Sequence, residues 1–447
     1  VFAPAAPPAV AFDAAASTID LGVALRLAGV DNPSINLARE QVREALAGQL
    51  AAESLLLPSL NAGGNFRLHR GVFQATPGFL RDPDLQSLYV GAGSGAVGSG
   101  TVAVPGVRLF ADLGEAFYQP LAAGQRVAGR QADAVAVRNA VLLDVATAYL
   151  ELAGAEARLE VARRAEAEAA EVVRTTAAFA AAGEGTRADA NRAAANAEII
   201  RRQIGEAEGA VSAAAARLAR LLSLDPAVRL RTPGGPLDPV RLVPADADLD
   251  ALVAAAVQQR PEVMAGSAAV AEARTRVKRE KVRPWLPVVS AGFSAGGMGG
   301  GSDRVADRFS PLAPRTDFDV AAVWTVQNLG VGNRARVRRA TADLGAAAAG
   351  FDATVNRVRR EVAEADAASR AAAVQIEAAD AALAAAEDGF RLEAERIRQG
   401  QGRPIEALDS LRQSLDARLE RLRAVVAFDV AQFRQYAALG GDPAAAR

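Results

Sequence analysis

The sequence of 447 residues has no cysteine, one histidine and almost no lysine, its basic residues being nearly all arginine. Without a thiol, these residues can form no disulfide, thiolate nucleophile, thiolate metal site or cysteine-borne lipid anchor. With His69 as the only imidazole, neither a Ser-His-Asp triad nor a histidine metal cluster can be assembled, so no enzyme chemistry and no cofactor are expected. A charge excess of one sign is missing too: 51 basic and 52 acidic residues leave a net charge of −1, which argues against nucleic acid as a partner. No run is long and apolar enough for a membrane-spanning helix. The opening VFAPAAPPAVAF carries no initiator methionine and reads as a processed chain whose targeting segment has been removed. Residues 85–107 and 284–302 lack any charge and are rich in Gly and Ser. Since Gly weakens a helix by about 1 kcal/mol per position relative to Ala, they read as strand and loop.

What is present is a duplication. An offset of 217 residues aligns Asn139 with Asn356, Gly183 with Gly400, Gly185 with Gly402, Arg217 with Arg434 and Asp225-Pro226 with Asp442-Pro443, without a gap. Pro58 in LLLPSLNAGG matches Pro287 in RPWLPVVSAGF at an offset of 229, so the first copy is longer by 12 residues, expected in its glycine-rich loops.

The second copy repeats apolar residues every 3.5 positions, with Val355, Val362, Ile376, Leu383, Phe390 and Ile397 alternating with Val358, Ala365, Ala372, Ala379 and Ala386. The first copy has Ala148, Ala155, Ala162 and Ala169 at the same places. That period marks a left-handed coiled coil, and alanine lets helix backbones approach closely. Gly and Pro punctuation predicts helices over residues 34–57, about 112–182, 186–224, 261–283, 333–399 and 404–439. At 1.5 Å per residue the long ones reach about 100 Å. The domain plan is then an N-terminal extended segment (1–33), a first repeat (34–224), a proline-rich linker (225–260), a second repeat (261–439) and a tail (440–447).

After each of the two prolines the period changes to two. Leu60, Ala62, Gly64, Phe66 and Leu68 alternate with Ser59, Asn61, Gly63, Asn65 and Arg67, and Val289, Ala291, Phe293 and Ala295 with Val288, Ser290, Gly292 and Ser294. Residues 317–326 give a third strand, and 101–110 a weaker fourth interrupted by Pro105. GSGAVG at 93–98 matches GxGxxG but lacks the following helix of a nucleotide-binding unit, so it reads as a loop. Four strands of about ten residues suit a tilted transmembrane barrel, which needs about eight to close. One chain cannot close it, whereas three chains would supply about twelve strands. A soluble sheet capping the helices fits the same pattern.

In this order, DNPSINLAREQV (31–42), LLLPSLNAG (55–63), LDVATAYLEL (143–152), RPEV (260–263), NLGVGNRARVRRA (328–340) and GQGRPIEALDSLRQSL (400–415) resemble the TolC-like outer-membrane efflux protein family. The resemblance implies a mainly α fold with a membrane β part: a long α-helical coiled-coil tunnel and a transmembrane β-barrel, four strands per chain, shared by a homotrimer. It implies a passive exit duct in the outer membrane of a Gram-negative-type bacterium, in contact with outer-membrane lipid and with its helical part in the periplasm. Such a duct works with a periplasmic adaptor and an inner-membrane transporter in tripartite efflux or type I secretion. A non-channel periplasmic helical scaffold is the alternative reading.

The same resemblance assigns site residues. Helical tips at 182–187 and 399–403, with Gly183, Gly185, Thr186, Gly400, Gly402 and Arg403, are where an adaptor would dock, although the glycines also simply permit the turn. Asp189, Glu406 and Asp409 match positions near the periplasmic constriction, the latter two as threefold carboxylate rings that favour cations and contribute to gating. Thr186 with Asp189 equally fits a capping box, and Pro404 with Glu406 a helix start. Where members can carry a basic residue, this chain has Gly402 beside Arg403. Pro58 and Pro287 mark the predicted helix-to-barrel junctions, and His69 is expected at a surface or barrel rim. Trp285 and Trp324 fit either an aromatic membrane belt or core packing.

Overall fold

Proline and capping side chains set most helix starts in the computed structural model, which describes residues 17–74, 78–96, 102–225, 227–303, 309–399 and 403–446. The helices among these residues are α1 (Leu21–Asp31), α2 (Pro33–Glu53), α3 (Leu113–Ala182), α4 (Arg187–Leu221), α5 (Leu249–Gln259), α6 (Pro261–Val282), α7 (Val331–Arg398) and α8 (Pro404–Ala438). Pro33, Pro261 and Pro404 stand first in their helices, where an N–H would have no intrahelical acceptor. Asp20, Thr186 and Asp248 cap α1, α4 and α5 by accepting from the N–H three residues on. Six helices follow the sequence expectation closely, and α1 and α5 do not. The first lies in the segment read as extended and the second in the proline-rich linker. At 11 residues each they are too short to persist on propensity alone. Burial of Ala24, Leu25 and Ala28 stabilises α1, which the local pattern could not reveal.

The chain divides into two units. The first comprises residues 1–41, 131–265 and 352–447 and is helical. Near its start α8 sets Leu408, Leu411 and Leu415 against Ala165, Ala169 and Val172 of α3 and Ala193, Ala197 and Ile200 of α4. Further along, its Ala424, Val425 and Phe428 meet Ala372, Ile376 and Ala379 of α7. All the heptad residues expected on α7 and α3 are buried or half-buried. The small residues do bring helices close: a Cβ on Gly154 would lie 2.7 Å from Cγ2 of Val426.

A polar row interrupts this apolar face of α8. Asp429, Gln432 and Gln435 are buried and follow one another at the three-residue spacing that shares a helix face. Asp429 Oδ1 accepts from the Val240 N–H at 2.8 Å, and Gln432 Oε1 from Leu242 at 2.8 Å and Val243 at 3.0 Å. On the other side Gln432 Nε2 donates to Ser369 Oγ at 2.6 Å and Gln435 Nε2 to Asp366 Oδ1 at 2.9 Å. The linker segment is therefore tied to α8, and α8 to α7, by hydrogen bonds that each contribute about 1 kcal/mol net.

The second unit comprises residues 42–130 and 266–351 and carries a sheet. Its first strand is Ala62–His69, entered through Ser59–Leu60; the second is Leu85–Ala96, resumed as Val107–Asp112; the third is Val288–Ser302 and the fourth Ala313–Val323. Neighbours in this order are antiparallel. On the third strand, Val289, Ala291 and Phe293 face Ala111, Leu109 and Val107 on one side and Ala322, Val320 and Phe318 on the other. Leu60 faces Val107, and Phe66 faces Leu88. Apart from the bulge at Ala62, which pairs with both Ala92 and Gly93, the registers keep the same parity, so the alternation of each strand lines up across the sheet. Leu60, Phe66, Leu68, Leu88, Val90, Leu109, Phe293, Phe318 and Val320 share one face. Asn61, Gly63, Arg67, Ser87, Arg108, Ser290, Ser294, Arg315, Asp317 and Asp319 share the other.

Three strand expectations need correction. The strand expected at 317–326 is Ala313–Val323, which leaves Trp324 and Val326 beyond its end. The strand expected at 101–110 is two pieces, Val102–Pro105 and Val107–Asp112, parted at Gly106. The GSGAVG segment is not simply a loop, since Leu85–Ala96 runs into it and pairs Gly93 with Pro105 and Ser94 with Val104, while residues 97 and 98 lie outside the described residues. Glycine content concealed this strand, because Gly is a poor strand former. The glycines instead admit neighbours: a Cβ on Gly91 would lie 2.5 Å from Gly296 Cα. Extra length of the first copy thus enters inside a strand, between Gly93 and Val107.

Candidate functional site

At the first tip, α3 ends at Ala182 and Gly183 adopts φ +78°, a left-handed conformation that L side chains resist. The N–H groups of Glu184 and Gly185 both return to Phe179 O, at 3.0 and 3.1 Å, satisfying a terminal carbonyl. A Cβ on Gly185 would lie 3.3 Å from that of Phe179, a tight fit. Thr186 then opens α4. Its Oγ1 accepts from the Asp189 N–H at 3.1 Å and donates to Asp189 Oδ2 at 2.7 Å, while Arg192 lies 3.5 Å from the same carboxylate. Asp189 is thus engaged as part of a cap.

At the second tip Gly400 and Gly402 lie outside the described residues. Arg403 is exposed and precedes α8 in extended conformation, without a capping side chain. Glu406 and Asp409 are exposed at the three-residue spacing that shares a helix face. Arg396 of α7 reaches to 3.9 Å from Glu406 and pairs more closely with Glu393, at 2.9 Å. In contrast to Asp189, these two acids face solvent.

Both prolines sit at the same kind of junction. After α2 a 3-10 turn, Ser54–Leu56, brings the chain through Leu57 and Pro58 into the first strand. After α6 a 3-10 turn, Arg283–Trp285, does so through Leu286 and Pro287 into the third. The second junction carries a charge cluster, in which Arg283 meets Glu115 at 2.9 Å and Asp112 at 3.4 Å and Arg279 meets Glu280 at 2.9 Å. Trp285 and Trp324 are both exposed, with Trp324 Nε1 donating to Trp285 O at 3.3 Å. Core packing within the chain therefore does not account for them. His69 ends the first strand, its Nε2 3.0 Å from Gly71 O.

Between the fourth strand and α7, Asn328 (φ 48°), Leu329 (φ 55°) and Gly330 (φ 88°) are consecutively left-handed, and Leu329 is 98% exposed. This turn lies in the NLG of a motif the sequence singled out, but only its Gly hinted at the conformation. In the helical unit the RPEV motif forms a half-buried ion cluster: Arg260 binds Glu262 at 2.7 Å and also binds Glu361. Burial opposes the charge on both Arg260 and Glu262. Their mutual hydrogen bonds outweigh it, holding the guanidinium above and the carboxyl below its usual range.

The model of the family described as outer membrane efflux protein matches residues 24–223 and 252–441, both copies of the duplication. Solved structures agree over nearly the whole chain. A membrane protein from Pseudomonas aeruginosa is 22% identical, with TM-score 0.75, over 98% of this chain and 99% of its own. The CmeC outer membrane channel of Campylobacter jejuni is 17% identical, with TM-score 0.76, over 94% and 86%. The MtrE outer membrane channel of Neisseria gonorrhoeae, solved in an open state, is 21% identical, with TM-score 0.70, over 94% and 89%. No curated protein sequence matches the chain. The chain belongs to the outer membrane efflux protein family and has its TolC-like fold, a family of transport channels and not of enzymes. It is an outer-membrane efflux channel.

Proposed function

We propose that three copies of the chain form the exit duct of a tripartite efflux or secretion assembly, receiving substrate from an inner-membrane transporter through a periplasmic adaptor. The observation that carries this reading is the two-faced sheet. Its apolar face is bare, with Phe66 61%, Phe318 72% and Val320 63% exposed, while the opposite face holds Arg67, Arg315, Asp317 and Asp319. A water-soluble sheet buries such a face, whereas a barrel in lipid turns it outward and keeps the polar face inside. Four strands cannot close that barrel, and three chains can.

On this reading the apolar face meets outer-membrane lipid, and Trp285 and Trp324 lie at its periplasmic boundary. Pro58 and Pro287 are the helix-to-barrel junctions, and the two repeats and the linker between them are the working domains. Gly183, Gly185, Thr186 and Arg403, with Gly400 and Gly402, form the tips that an adaptor grips. Glu406 and Asp409 supply the carboxylate rings of the periplasmic constriction. Asp189 adds to that field while serving as a cap. No observation favours the scaffold alternative, which leaves the bare apolar strands without a purpose. The detergent-solubilised protein is expected to run as a heat-modifiable trimer and to open cation-preferring pores in planar bilayers. A monomer that forms no pores would overturn the reading.

A further inference from the structure

The second strand leaves the sheet after Gly93 and returns at Val107, and of the piece between, the described residues 94–96 and 102–106 meet the polar face through Ser94, Pro105 and Gly106. Four contacts fix its side. A Cβ on Gly292 would lie 2.7 Å from Pro105 Cγ, and one on Gly63 3.3 Å from Ser94 Cβ. Ser294, 2% exposed, accepts from the Gly106 N–H at 3.3 Å. Asn61 Nδ2 donates to Pro105 O at 2.9 Å. Asn61, Gly63, Gly292 and Ser294 all belong to the polar face, so the apolar face carries none of these contacts. Backbone bonds close the base, Asn61 N–H to Gly106 O at 2.6 Å and Gly93 N–H to Asn61 O at 2.9 Å. The sheet itself does not need the insert. Ala92 pairs with Ala295 and Val107 with Phe293. Gly93 alone would span the single position opposite Ser294, and the alternation would continue unbroken.

We propose that this inserted hairpin is a constriction inside the barrel, distinct from the periplasmic one, and that it sets the size of what passes the β part of the duct. The inference rests on the trimeric barrel of the preceding section. Strands about 4.8 Å apart tilted by about 40° give a twelve-stranded barrel a radius of about 12 Å. Ser94 and Pro105 lie directly on Gly63 and Gly292, closer than the ~10 Å between side-chain-filled layers, so three such inserts, one per chain, narrow the lumen from all sides at this level. The sequence from 85 to 107 has no charged residue, and Val104 is exposed, so the constriction selects by width and polarity and not by charge.

The test uses the full-length protein in planar bilayers. Deleting residues 94–106 is expected to raise unitary conductance several-fold over wild type. Because the deletion could impair assembly, the cysteine-free chain also receives a single thiol as Val104→Cys or, on the lipid face, Leu109→Cys. A charged, membrane-impermeant thiol reagent is expected to reduce current stepwise through the first variant and leave the second unlabelled. Wild-type conductance in an assembled deletion trimer, or full labelling of Val104→Cys without loss of current, would overturn the constriction and leave the channel standing. Absence of pores from wild-type protein, or ready aqueous labelling of Leu109→Cys, would instead overturn the barrel reading beneath it.

Discussion

Replacing Asp429 by Asn should stabilise the helical unit at neutral pH. Asp429 sits in the polar row of α8 and is 2% exposed, with one backbone donor, Val240, at 2.8 Å. Burial raises its carboxyl from 3.8 to about 6, against the smaller opposing pull of the hydrogen bond from Val240. At about 1.4 kcal/mol per pK unit, ionisation above that pH weakens the fold by roughly 3 kcal/mol. The sign is set by proton binding: between about pH 4 and 6 the folded chain holds the proton and the unfolded chain has released it, so stability falls as pH rises. Asn keeps the acceptor oxygen and removes the charge, but adds amide donors whose burial costs about 1 kcal/mol if unmet. The expected net gain is on the order of 1–2 kcal/mol at about pH 7.5, shrinking as the pH approaches about 4. Denaturant unfolding of both proteins in detergent, followed by circular dichroism across this range, measures the difference. Parallel curves over the whole range, or a less stable variant at neutral pH, would refute the reasoning.

Four further outcomes are expected. Asp189→Ala should weaken the α4 cap by about 1 kcal/mol, visible as faster hydrogen exchange at the first tip, with cation preference largely kept. Glu406→Gln with Asp409→Asn should lower that preference in bilayer reversal potentials. Leu329→Gly should raise the melting temperature, since a left-handed non-Gly residue costs about 1–2 kcal/mol and the added freedom of the unfolded chain returns only part of it; a lower melting temperature would mean that Leu329 is held by a contact in the assembly. Arg260→Met should destabilise the helical unit by about 3 kcal/mol by leaving Glu262 and Glu361 without their shared partner. In wild type, Glu262 contributes stability that is present above the usual carboxylate pKa and lost as pH falls through its lowered value, so an acid melt of both proteins should converge there.

Much of this fold was legible because the helices are long and punctuated. Six of them are bounded by Gly, Pro or a cap, and the seam from Val355 to Ile397 is buried as its spacing required. The strands after Pro58 and Pro287 were legible for the same reason, their alternation being strict. What escaped was set by tertiary contact. Residues 85–107 read only as strand and loop, and the bounds of Leu85–Ala96 were not legible because its glycines weaken a strand, yet Gly91 is small because Gly296 lies against it. The row Asp429, Gln432 and Gln435 resembles a solvated face, and only the linker beside it shows why polar side chains are buried there. Asn61, Gly292 and Ser294 gave no sign of holding an insert. The available clue was a length mismatch of 12 residues beside a proline in mid-strand. Of the acids, sequence could not separate Asp189, hydrogen-bonded to Thr186, from the exposed Glu406 and Asp409.

The open edges of the sheet bear on how such a duct is made. Among the described residues, the first and fourth strands each present a row of N–H and C=O groups that no other strand takes up. In water these groups are solvated at little cost, but in the hydrocarbon of a bilayer each would forfeit several kcal/mol. A lone chain therefore has no stable inserted form, and a partly inserted dimer still carries two such edges. In the proposed trimer, entry into the membrane and association of the three chains would then be a single event, and the species that precedes it in the periplasm would be one whose apolar sheet face has to be shielded until its partners arrive.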